Sequence, residues 1–130
     1  MKMNKNILVL AYLGDSVFEL YVRNYLIEKF AKVNTLQKEA IKIVSAKGQA
    51  SLIKNLIDNN ILTQSELDVF NRGRNAKCSH HPKNTDILTY KHATGFEALI
   101  GYLYLEDKKR LESIMNLCLE EIECMYMAKM

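Results

Sequence analysis

From Asn6 to Phe30 the chain offers almost no wet side: apolar residues recur so densely that only a largely buried helix, or a helix buried against two partners, satisfies the pattern. Gly14 is its one weak point. With a single Pro and five Gly in 130 residues, little else breaks helices. A second periodic stretch, with Leu36, Ala40, Ile43, Val44, Lys47, Ala50, Ile53 and Ile57 near helical spacing, runs to Asn59-Asn60. Thr63 and Glu66 form a capping-box pattern that opens a short helix through Phe70. Residues 71–84 lack periodicity and contain Gly73 and Pro82, so they read as an exposed loop. Thr85 or Asp86 caps the next helix, which reaches Leu105, and Glu106-Asp107 begin a last helix ending near Met127. No segment alternates as a strand does. The expectation is one all-α domain over residues 1–130, a bundle of five to seven helices.

Charge is unevenly placed. Residues 29–54 hold six lysines against Glu39 alone, a net +5, and residues 71–93 hold five basic residues against Asp86 alone, a net +4. Everything else is acidic at −6, which leaves two basic segments suited to a polyanion. Cys78, Cys118 and Cys124 form neither an even set nor a CxxC pair. The run Ile7–Leu13 behind Lys2 and Lys5 meets Asp15 without a small-residue cleavage site, and no apolar run approaches a membrane span. A reducing cytoplasm is the expected compartment, with no membrane partner.

Two carboxylates stand where carboxylates are expensive. Leu8, Ala11, Phe18 and Val22 share a helical face with Asp15, while Ala93, Thr94, Ile100, Gly101 and Tyr104 share one with Glu97. No Lys or Arg occurs from Asn6 to Val22 or from His92 to Asp107 to neutralise either acid. Ala93, Thr94, Ala98 and Gly101 make a small-residue face on which another helix can lie close. If that helix carries Asp15, with Gly14 at the crossing, the two acids meet in a pocket suited to Mg²⁺, and the chemistry is phosphodiester hydrolysis. A single Asp in a helix is more often hydrogen-bonded or half-exposed than a ligand. Glu19 reads as a helper ligand or a solvated residue, and Asp86 as a cap.

The same residues resemble a known family. Leu13-Gly14-Asp15-Ser16-Val17-Phe18-Glu19-Leu20 resembles the LGDxxxEL core of the ribonuclease III signature. Phe96-Glu97-Ala98-Leu99-Ile100-Gly101, with Tyr102 to Leu105, resembles its FEALIGAIYL partner motif. The segments 72–77, 82–86, 90–94 and 45–50 are similar to those of the Mini-III ribonucleases, which lack a double-stranded-RNA-binding domain. The resemblance implies a homodimeric catalytic domain that lays duplex RNA, specifically the large-subunit (23S) ribosomal RNA precursor, across a basic valley. It implies cleavage to 5′-phosphate and 3′-hydroxyl ends by water on Mg²⁺, with Mn²⁺ as a substitute, and makes Asp15 and Glu97 the catalytic, metal-binding acids. Ala11 and Thr94 depart from it, standing where full-length ribonuclease III enzymes carry Glu and Asp. The metal is therefore expected to be held mainly through water and RNA phosphate.

Arg72, Arg74, Lys77 and Lys83 can neutralise phosphates, and Asn75, Asn84 and Thr85 can donate to phosphate or ribose hydroxyls. His92 is placed near the RNA backbone, with Lys47 and Gln49 as further contacts. Cys78, His80, His81 and His92 supply zinc-type ligands, but their spacing matches no recurrent structural site. Two rivals stand beside the nuclease: a non-catalytic double-stranded-RNA-binding module of the same fold, and a helical scaffold that uses its apolar faces for assembly.

Overall fold

The structure, a computed structural model, describes residues 5–77, 83 and 85–129. Six helices make up the regular structure of those residues: α1 (Ile7–Ile27), α2 (Val33–Val44), α3 (Ala46–Asp58), α4 (Gln64–Arg74), α5 (Ile87–Glu106) and α6 (Lys108–Ala128). Local chemistry starts most of them. Asn6 caps α1 by accepting from the Leu8 amide at 2.8 Å, and Asp86 caps α5 by accepting from Leu88 and Thr89. The Thr63–Glu66 capping box forms at α4, with both reciprocal bonds present. Asp107 closes α5 and accepts from the Arg110 amide to open α6.

Two boundaries differ from the periodicity. The stretch 36–59 is two helices, because Ser45 ends α2 in extended backbone and its hydroxyl accepts from the Gly48 amide to start α3. The helix opened at Thr63 runs on to Arg74, so Arg72 and Arg74 belong to its last turn and not to a loop. Contact with α5 explains the extension. A Cβ on Gly73 would lie 2.9 Å from both Gly95 Cα and Ala98 Cβ, so α4 is held in helical form against α5.

The middle of the molecule is α5, packed against α1, α3 and α4 with α6 following it. Phe18 and Phe96 meet edge to face with centroids 5.0 Å apart, both fully buried, an arrangement that contributes about 1 kcal/mol beyond the area it covers. At the α1–α5 crossing, backbone touches backbone: a Cβ on Gly14 would sit 1.7 Å from the Glu97 carbonyl oxygen, and one on Gly101 would sit 2.0 Å from that of Leu10. Of the small-residue face foreseen in the sequence, Gly101 seats α1, whereas Thr94 and Ala98 meet Gly73 of α4. Far from it, Arg110 of α6 clamps Glu66 at the start of α4 through bonds of 2.7 and 2.9 Å.

Candidate active site

The crossing decides where the acids go. Gly14 points into α5 against Glu97, and Asp15, about 100° further round the helix, falls at the edge of that contact. Asp15 is exposed and Glu97 half-buried, which corrects the expectation that both are enclosed. Their carboxyl groups nevertheless face one another. Burial first, and the Asp15 carboxylate second, push the Glu97 carboxyl up to about 8, while the Gln49 amide pulls it the other way. A cation entering between the two acids would relieve that repulsion.

Gln49 does not act as read from the sequence. It is 1% exposed and has no surface to offer RNA. Its Nε2 donates to the Val44 carbonyl at 3.1 Å and serves the Glu97 carboxylate, whereas its Oε1 is sealed from solvent without a partner. The clue available in the sequence was its place on the apolar face of α3, with Ile53 and Leu56, four and seven residues on. Two carboxylates and an orphaned amide oxygen form a hard donor set that fits Mg²⁺ or Mn²⁺, ions that keep several waters. Among the described residues no group of three or more His, Cys, Asp and Glu could hold a metal, so water and phosphate oxygens would complete the shell. Glu19 is no part of this set, since Arg23 engages it through Nε at 3.0 Å.

The basic candidates divide by position. Through Gly73, the end of α4, which carries Arg72 and Arg74, lies against residues 94–98 of α5, the segment that includes Glu97. Arg72, Asn75, Lys77 and Lys83 are exposed, and Thr85 is half-buried. Arg74 is half-buried, with its Nε enclosed and unpartnered. The His92 Nδ1 donates to the Leu88 carbonyl at 2.8 Å and its ring rests 5.8 Å from that of Phe70. Lys47 is exposed but lies about 200° around α3 from Gln49, lining a separate cavity of about 430 Å³ with Lys42, Tyr126 and Lys129. Asn84, like Cys78, His80 and His81, lies outside the described residues.

Comparison with known proteins gives this geometry its context. Residues 8–108 match the family described as the ribonuclease III domain. A Mini-ribonuclease 3 of Enterococcus faecalis is 45% identical over 119 residues, covering 90% of each chain. One from Brevibacillus brevis is 51% identical over 105 residues, 80% of this chain and 77% of that one. The crystal structure of a Fusobacterium nucleatum protein superposes with a TM-score of 0.80 at 31% identity, covering 92% of this chain and 95% of that one.

Proposed function

Because the chain belongs to the ribonuclease III domain family, in its Mini-ribonuclease 3 branch, and is thus an endoribonuclease of double-stranded RNA, we propose that Asp15 and Glu97 are its catalytic acids. They hold a divalent ion, Mg²⁺ with Mn²⁺ as substitute. The observation that carries this reading is the facing of the two carboxyls at the glycine crossing. When bound, the ion lowers the pKa of a coordinated water and offsets charge developing on the phosphate. Asp15, being exposed, meets ion and RNA from solvent. Burial and the facing Asp15 carboxylate raise the Glu97 carboxyl, and a bound ion would favour its ionised form. Water adding at phosphorus with cleavage of the P–O3′ bond, the departing O3′ taking up a proton, would leave a 5′-phosphate and a 3′-hydroxyl.

Arg72, Arg74, Lys77 and Lys83 neutralise backbone phosphates, and the enclosed Arg74 Nε suits a single fixed one. Asn75, Asn84, Thr85 and His92 donate to phosphate or 2′-hydroxyl groups across the minor groove. Lys47 adds charge at the periphery. The substrate is the large-subunit (23S) ribosomal RNA precursor, processed in the cytoplasm; no helix among the described residues is long and apolar enough to cross a membrane. The working form is a homodimer through the outer face of α1. Tyr12 projects from that face at 82% exposure, with Val9 and Leu20 also exposed, beside a groove of about 550 Å³ lined by Leu13, Tyr21, Tyr104 and Leu111. Asp15→Asn or Glu97→Gln is expected to abolish Mg²⁺-dependent cutting of a long RNA duplex while leaving duplex binding and assembly intact. Cleavage retained by both variants would overturn the assignment.

A further inference from the structure

The acid pair has few oxygen neighbours on its own helices. One turn before Asp15 stands Ala11, which is apolar and buried, and one turn before Glu97 the Thr94 hydroxyl is committed as a donor to the Tyr90 carbonyl at 3.1 Å. One turn after Asp15, Glu19 is bound to Arg23. The remaining polar group comes from a third helix. Gln49 is buried in the α3–α5 contact, and its orientation is fixed by Val44: turning the amide over would set its oxygen against a carbonyl oxygen. With Nε2 donating to Val44, Oε1 is left as an acceptor, enclosed and unpartnered, on an amide that lies close enough to Glu97 to act on its carboxyl. A buried carbonyl oxygen of this kind is normally matched by a donor, and the donor that belongs beside two metal-binding acids is a water of the ion's shell.

We infer that Gln49 is a positioning residue of the acid pair: its amide N–H holds the Glu97 carboxylate in place, and its Oε1 accepts from a water of the divalent ion that Asp15 and Glu97 bind. The inference rests on those two residues being the metal-binding acids. It assigns the third point of the site to α3, so that three helices set the ion's surroundings.

Gln49→Leu and Gln49→Glu, made in the full chain, separate this role from plain packing. In Gln49→Leu, calorimetric titration with Mn²⁺ alone is expected to show binding weakened about tenfold, as for other partners that orient metal ligands. The Mg²⁺ concentration for half-maximal cleavage should rise by the same factor, while duplex affinity in EDTA stays at the wild-type value. Gln49→Glu keeps an acceptor oxygen but gives up the N–H and sets an oxygen against the Val44 carbonyl, so it should lower Tm without metal, with Mg²⁺ bringing part of it back. A folded Gln49→Leu with unchanged Mn²⁺ binding and unchanged Mg²⁺ midpoint overturns the inference. Should Gln49→Leu not fold, a Tm of Gln49→Glu no more Mg²⁺-sensitive than that of the wild type overturns it instead. Asp15→Asn and Glu97→Gln run alongside tell the two failures apart. If they still cut, the acid assignment is wrong, and if they are dead while Gln49→Leu responds to metal as wild type, only the role of Gln49 is wrong.

Discussion

At the scale of single residues, Glu66 shows how a position of local significance acquires a distant one. Its part in the capping box is legible from Thr63 three places earlier, and both bonds form. Arg110, which reaches it from 44 residues away through two bonds and also binds the Ile61 carbonyl at 2.8 Å, has no signature in the sequence. Burial pushes the Glu66 carboxyl up, but the bonds from Arg110 and the Thr63 amide outweigh it and hold the group below its ordinary 4.5. A depressed native value stabilises the fold above the unfolded pKa, and that contribution disappears as pH falls through the native one. Resistance to urea is therefore expected to fall on acidification below about 4.5, and Glu66→Gln should flatten that slope. At neutral pH the substitution should cost about 2 kcal/mol, less than for a fully enclosed pair because the Arg110 side chain stays 29% exposed. Gln49 was harder to read for the same reason: a Gln on a lysine-rich helix looks like surface until the helix packed against it is known.

Among elements, the α1–α5 crossing was the best foreshadowed, because small residues one turn apart are an invitation to close approach that sequence spacing displays directly. What spacing did not display was the break at Ser45 and the continuation to Arg74. A serine inside an apolar period looks like any outward position until its hydroxyl is seen capping Gly48, and Gly73 looks like a terminator until α5 is seen lying against it. Gly14→Ala should destabilise the fold by more than about 2 kcal/mol in chemical denaturation, since the added carbon meets the Glu97 backbone and not a movable side chain. The end of α4 carries a different expectation. Arg72→Glu should weaken duplex binding and reduce by about one the slope of log affinity against log salt, whatever the duplex sequence. An unchanged slope in filter binding would remove α4 from the interface.

For the molecule as a whole, six helices present an acid pair, a basic margin and an apolar outer face as parts of one surface problem. The acids and the basic residues were named from motif and charge; that α4 packs against the helix carrying Glu97 depends on Gly73 meeting Gly95 and Ala98, a long-range contact no window of sequence contains. If the proposed homodimer forms through the outer face of α1, Tyr12→Lys or Leu20→Glu should give a folded monomer in sedimentation velocity where the unaltered chain sediments as a dimer, because a charge at either exposed position cannot be matched by its own symmetry copy. The crossing at Gly14 and Gly101 has one more consequence. Where main chain rests on main chain, the span between the acids is a property of the polypeptide itself and is indifferent to which side chains fill the rest of the bundle. Substitutions elsewhere in the hydrophobic interior should therefore change stability while leaving the separation of the Asp15 and Glu97 backbones as it is.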